Sequence, residues 1–358
     1  MKKLGRKRLI WFGVCAVLLV AAAACALGLR HISRSLLSQR EDERWRGGNE
    51  MAFCQISCFL PADSEVGTSD IYSFRYSLLD EFTAAGIEYE GDNYPFIDAW
   101  SCESKLTISG DRGATAAPVT AVGGSFFEFH PLTLISGSYI TENDISPDRV
   151  VLDRELAWEL FGGVELAGMS VEVNGAKFVV AGVVDRESDA SSRKAYTGEK
   201  GFYINYDAYK ALTQKDAIGC YELVMPETVK NYAAQVVAKH FPLGSGESVV
   251  NSSRFSYGRL MGIAKDLPAR AAHSGTVSYP YWENAARIAE DKCALLALFA
   301  TVFTIPAAVT LFAELIMLLV RGKRALENDL LPKAKDSVEE AVRVRARRRW
   351  EKKHNEKG

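Results

Sequence analysis

The signatures of common catalytic chemistry are missing from this chain. No Gly-x-x-x-x-Gly-Lys-Ser/Thr stretch occurs in its 358 residues, which excludes nucleotide hydrolysis on a phosphate loop of that kind. No Gly-x-Ser-x-Gly elbow is present to lift a serine nucleophile. Histidine is scarce, and His31, His130, His240, His273 and His354 are scattered without a second ligand at metal spacing, so no zinc site is expected. Two close carboxylates could divide acid and base roles, but Glu142 with Asp144 and Asp185 with Glu187 both fall where turns are expected. The expectation is a protein that is not an enzyme and that carries no cofactor.

Cysteine is also sparse. Cys15, Cys25 and Cys293 fall within apolar runs, leaving Cys54, Cys58, Cys102 and Cys220 elsewhere. Four residues along a strand span about 13 Å, too far for Cys54 to reach Cys58 within "MAFCQISCFL". Two readings stay open: either of them pairs with Cys102, or all four are buried free thiols.

What the chain does have is two long apolar runs. Leu9 to Leu29 follows Lys2, Lys3, Arg6, Lys7 and Arg8, and Cys293 to Val320 precedes Arg321, Lys323 and Arg324. Each is long enough to cross a bilayer as a helix, and basic flanks stay on the cytoplasmic side. Both termini are therefore expected inside and residues 30–292 outside, in the cell membrane. Residues 1–8 carry +5 and residues 321–358 carry +6, so the net charge of −2 hides −13 in between. An outer part so acidic is not expected to bind nucleic acid. A basic start and an apolar stretch also fit a cleaved secretion signal, and "AAAAC" ending at Cys25 fits a lipidation site. Ala22 stands where lipidation favours a larger residue, and apolar residues continue through Leu29, which favours an uncleaved anchor.

Between the runs, strands and helices alternate. "MAFCQISCFL" reads as a strand; Thr68 or Ser69 then caps a helix with Ile71, Phe74, Leu78, Leu79 and Phe82 on one side, stopped by Gly86. "FIDAWSCESKLTISG" and "AAPVTAVGG" read as strands, and "SVEVNGAKFVVAGVV" as a hairpin around Asn174-Gly175. In "VVLDRELAWELFGG" a strand runs through an acidic cap into a short helix, with Trp158 and Phe161 expected on its buried side. "YELVMP" is a strand before a helix capped by Thr228. "DRESDASSRKAYTGEKG" reads as a loop, and residues 243–280 are weakly patterned. The fold class is an α+β extracytoplasmic domain, in one lobe or two, on two transmembrane helices. The divisions are a basic N-terminus (1–8), a first span (9–29), a helical stalk (30–46), the outer domain (47–280), a second stalk (281–292), a second span (293–320) and a basic tail (321–358).

Two membrane features stand out. Glu314 lies within the second span about 9 Å from its inner end, where a carboxylate costs several kcal/mol unless it reaches the interface or a partner helix. Pro306, near mid-span, removes a backbone hydrogen bond and bends the helix. In the tail, Arg343, Arg345, Arg347, Arg348 and Arg349 surround Val338 and Val342, a pattern that suits the anionic inner leaflet, an acidic protein face or a solvated tail alike.

Residues 119–185 resemble the extracytoplasmic core domain of MacB-type, FtsX-like ABC transporter permeases. The resemblance rests on Phe126-Phe127, Gly137 in "LISGSYIT", Asp144, then Ala157, Leu160 and Phe161 of "VVLDRELAWELFGG", Gly168, and "FVVAGVV". It implies a membrane subunit of an export or mechanotransmission complex, its outer domain sensing or binding a partner outside. It also implies a separate ABC ATPase working in trans, and an additional permease subunit or a second copy of the chain. Such permeases have three spans after the outer domain, and this chain shows one. The competing expectation is a stand-alone membrane-anchored receptor or scaffold uncoupled from ATP hydrolysis.

Overall fold

A computed structural model of the chain describes residues 6–48, 50–89, 91, 94–196, 200–270, 278–326, 328 and 331–355. It divides into two compact units, Leu27–Leu298, and Met1–Ala26 with Phe299–Gly358. The strands are β1 (Phe53–Phe59), β2 (Ile97–Gly110), β3 (Gly113–Gly124), β4 (Thr133–Gly137), β5 (Arg149–Asp153), β6 (Ser170–Val173), β7 (Ala176–Asp185), β8 (Phe202–Asn205), β9 (Cys220–Pro226) and β10 (Glu247–Val250). The helices are α1 (Arg6–Ser35), α2 (Glu41–Arg46), α3 (Thr68–Ala84), α4 (Phe126–Phe129), α5 (Arg154–Leu160), α6 (Ser192–Ala195), α7 (Tyr206–Thr213), α8 (Tyr232–His240), α9 (Tyr257–Arg270), α10 (Tyr281–Ala325) and α11 (Leu331–Asn355).

All ten strands of the larger unit join one mixed sheet in the order β10-β1-β9-β2-β3-β8-β5-β7-β4. β6 pairs with both β2 and β7, so β2, β3, β8, β5, β7 and β6 close into a ring. Local chemistry sets the turns: Asn174 and Gly175 adopt φ of 48° and 82°, as the two-residue β6–β7 turn requires. Gly137 has a physical reason too. It sits at φ +74°, and a Cβ there would lie 2.1 Å from the Ala181 carbonyl oxygen, so no other residue lets β4 approach β7.

Alternation along the strands feeds two cores. Cys54, Ile56 and Cys58 of β1 face one cluster with Ile71, Phe74, Leu78 and Phe82 of α3, while Phe59 faces the other. The second holds Phe126, Phe127, Phe129, Tyr203 and Trp282. Complete burial of each such large side chain contributes about 1.5–3 kcal/mol. All seven cysteines are free thiols.

Three local expectations fail for nonlocal reasons. α3 starts at Thr68 with Gly67 before it, because Asp216, far along the chain, accepts from Thr68 N and Oγ1 at 3.1 and 3.0 Å. α8 begins at Tyr232, not after Thr228, because the Glu227 carboxylate accepts from the Asn231 and Ala233 amides at 2.6 and 3.0 Å. Trp158 is 53% exposed; the buried side of α5 is Leu156, Ala157 and Leu160. The weakly patterned stretch 243–280 contains β10 and α9, and the loop after β7 contains α6.

In the smaller unit, the apolar parts of α1 and α10 bury Cys15, Ala22 and Ala307, small residues of the kind that let membrane helices approach closely. Leu9, Val17, Phe312 and Leu319 are among the large apolar side chains left exposed. The stretches Arg8–Ser35 and Tyr281–Arg324 are long and apolar enough to cross a membrane.

Candidate coupling site at the root of the second membrane helix

Helix α10 begins inside the outer domain and runs 45 residues without interruption, about 68 Å at the usual rise. Its first turn makes two different attachments. Trp282 is fully buried, edge-on to Phe126 with ring centroids 5.6 Å apart and 4.3 Å from the His130 ring. His130 in turn meets the Glu222 carboxylate at 2.5 Å, and Ser57 Oγ donates to the other Glu222 oxygen at 3.0 Å.

The neighbouring residue, Glu283, makes the second attachment. Arg254, just after the short 3-10 turn Asn251–Ser253, is wholly buried and donates from Nη2 to both Glu283 oxygens at 2.8 and 2.7 Å. Arg287, one turn later on α10, donates to Glu283 at 2.7 Å and to Glu247 of β10 at 2.9 Å, and stacks on Tyr279. Glu290 faces Arg254 Nε at 3.5 Å and Arg259 of α9 at 3.2 Å. Three arginines and three glutamates thus balance, with Arg254, Glu283 and Glu290 buried and Arg259, Arg287 and Glu247 partly exposed around them. Deleting one of the buried three is costly, because it leaves desolvated charge short of a partner.

The segment after α1 is tied to the same corner of the sheet. Gln55 Nε2 donates to the Ser38 carbonyl at 2.8 Å, and Asn251 Nδ2 donates to Gln39 Oε1 at 3.0 Å and Ser57 Oγ at 2.9 Å. Glu41 is buried beside Arg44, and burial lifts its carboxyl from 4.5 to about 7.

The residues singled out in the sequence lie elsewhere and do not converge. Glu314 pairs with Arg8 of α1 at 3.1 Å. Pro306 lies within α10 without breaking it, and its carbonyl accepts from Thr310 Oγ1 at 2.8 Å. Arg343, Arg345, Arg347 and Arg348 are exposed along α11, while the Arg349 side chain lies outside the described residues. The acidic pairs are split among different partners: Glu142 meets Arg75, Asp144 meets Arg149, Asp185 meets Arg154, and Glu187 accepts from Tyr196 and Tyr281. Asp153, at the "VVLDRELAWELFGG" cap, accepts from the Leu156 amide at 2.7 Å and binds Arg186 and the Gly201 amide. Sequence reasoning passed over Trp282, Glu283, Arg287 and Glu290. Their available signal was the spacing i, i+4, i+7 of the three charged residues directly before an apolar run.

A family model described as the MacB-like periplasmic core domain matches residues 55–238, about half of the chain, and the chain belongs to that family. Arg254, Glu283 and Glu290 lie beyond the matched stretch. No curated protein matches the chain. Among solved structures, it is similar to the extracellular domain of the noncanonic ABC-type transporter YknZ from Gram-positive bacteria, at 15% identity and TM-score 0.38, covering 55% of this chain and 98% of that one. It is also similar to the periplasmic region of MacB from Actinobacillus actinomycetemcomitans, at 18% identity and TM-score 0.37, covering 56% and 89%.

Proposed function

We propose that this member of the MacB-like family is the non-enzymatic membrane subunit of an ABC-type export or mechanotransmission complex. Its outer domain binds or senses an extracytoplasmic partner, and α10 couples that event to a separate ATPase inside. The observation that carries the reading is the continuity of α10 from Trp282 and Glu283 in the domain to Lys323 and Arg324 past the apolar run. A helix fixed at one end by buried, matched charges moves with its anchor, so rearrangement of β10 and α9 is felt along it. Family membership supports the transporter side of the reading.

The test is co-purification from native membranes, followed by ATPase assays with wild-type and Glu283→Gln chains in lipid. The expected result is an accompanying ATPase whose hydrolysis rate depends on this subunit and changes on Glu283→Gln. A chain that brings down no ATPase, and alters the hydrolysis of none supplied, is instead the stand-alone receptor or scaffold.

A further inference from the structure

Helix α9 stands at the level where both apolar runs end on the outer side. Its Leu260 and Ile263 are buried in one cluster with Cys293, Ala294 and Ala297 of α10, and Leu29, Ile32 and Leu267 pack around that cluster. Leu29 closes the first apolar run and Cys293 opens the second. The level is fixed between α1 and α10 as well, because a Cβ on Gly28 would lie 3.4 Å from Leu296 Cδ1. α9 therefore lies beside the outermost turn of each span.

The sides of α9 differ in chemistry. Arg259 pairs with Glu290 at 3.2 Å, and Glu290 lies about 4.5 Å nearer the domain than Cys293 by helical rise. At about 100° per residue, Tyr257 and Met261 lie about 160° to either side of Arg259 and so point away from that charge. Tyr257 is 60% exposed, and Met261 and Ala264 beside it are half-buried. Asp266 shares the side of Arg259. Lys265, one turn after Met261, is exposed, and its stem is long enough to carry the ammonium up to lipid headgroups. A tyrosine, with an apolar ring and a polar tip, is a residue that membrane interfaces favour.

We propose that the exposed side of α9 is an interaction surface for lipid, seated in the headgroup–acyl boundary of the outer leaflet with Tyr257 inserted. At the depth of Cys293 to Ala297, a side chain that α1 and α10 leave uncovered meets lipid, and this side offers an apolar strip edged by one ammonium. The seat gives the bilayer surface a path to the charged site in the domain: Arg259 shares Glu290 with the buried Arg254, which holds Glu283 of α10. A change in lipid packing that shifts α9 is thereby felt at the root of the second membrane helix. The inference rests on the membrane placement of α1 and α10 and is independent of any ATPase.

The experiment uses the full chain in vesicles of phosphatidylcholine and phosphatidylglycerol, with nitroxide labels on Tyr257→Cys, Met261→Cys and Asp266→Cys in a Cys25→Ala background; the other six native cysteines are buried. Electron paramagnetic resonance reads the collisions of each label with oxygen and with a water-soluble nickel chelate. Labels at positions 257 and 261 are expected about 5–10 Å into the boundary, rich in oxygen collisions and poor in nickel collisions, whereas the label at 266 is expected to favour nickel. Labels at 257 and 261 that meet nickel as freely as the one at 266 overturn the proposal. So do labels shielded from both reagents, which would place another protein on this side. Leu295→Cys, at a position 43% exposed on α10 at the same depth, separates two failures. A label there in lipid with 257 in water overturns the seat of α9 alone, and a label there in water overturns the membrane placement as well.

Discussion

Arg254 and Glu283, 29 residues apart in sequence and both sealed from solvent, meet through two hydrogen bonds of 2.8 and 2.7 Å from one guanidinium nitrogen. The pair fastens a membrane helix to the sheet that precedes it. Glu283→Gln or Arg254→Met alone should cost about 3–5 kcal/mol, because the buried Arg254 is left with only Glu290 at 3.5 Å and the buried Glu283 with only Arg287. Arg254→Met/Glu283→Leu should lose clearly less than the sum. Chemical denaturation of the purified chain, arranged as a double-mutant cycle, measures the coupling; additive losses would show that the two ions do not act as a pair.

Arg8 and Glu314 form the corresponding pair in the smaller unit, at 3.1 Å. Either Arg8→Leu or Glu314→Leu should lower the melting temperature of the detergent-solubilised chain, and the swap Arg8→Glu/Glu314→Arg should restore much of it. A Glu314 that serves a partner subunit instead gives a different pattern: Glu314→Leu releases the partner, while Arg8→Leu does not.

Glu41 makes stability depend on pH. Its carboxyl is raised from 4.5 to about 7 in the folded chain, so the folded state holds a proton that the unfolded state releases. The resulting stability is fully present below pH 4.5 and is lost as pH rises through 7. The total is about 3 kcal/mol. Melting temperatures taken across this window should fall for the wild type and fall less for Glu41→Gln, which keeps the Glu103 carboxyl, also raised by burial to about 7, and which should be the more stable chain above pH 7. A wild-type curve that rises with pH would contradict the burial of this group.

Membrane topology is testable with a thiol reagent that cannot the bilayer pass. Ser188 and Ser337 are exposed, one in the loop after β7 and one on α11, and cysteines placed there should react only from outside and only from inside respectively. Native background should be low, because burial pushes the Cys54 and Cys102 thiols up to about 12 and keeps them protonated. Labelling of Ser188→Cys from the same side as Ser337→Cys would rule out the proposed orientation.

Elements governed by their own periodicity were legible in the sequence. The α3 stripe, the Asn174-Gly175 hairpin and the strand around Cys54 each carry their pattern within a few residues. What escaped was whatever depends on a distant partner. β10 is four residues long and exists because β1 lies beside it. The N-cap of α8 is Asn231, with Glu227 rather than Thr228 accepting from the first amides, and Trp158 faces outward because Leu156, Ala157 and Leu160 satisfy the core. The candidate site was hidden for the same reason. A buried arginine such as Arg254 has no local signature, and Glu283 reads as an ordinary polar residue at a helix start until β10 and α9 are placed against it.

Trp282 and Glu283 are sequence neighbours, about 100° apart around α10, and each is committed to a different surface of the domain. Together they fix both the rotational phase and the axial position of the helix. A tensile load along α10 falls on the Glu283 ionic clamp, whereas a torque about its axis must first lever the Trp282 indole off the Phe126 and His130 rings. Pull and twist thus meet separate resistances, and substitutions at the two adjacent positions can loosen one without the other.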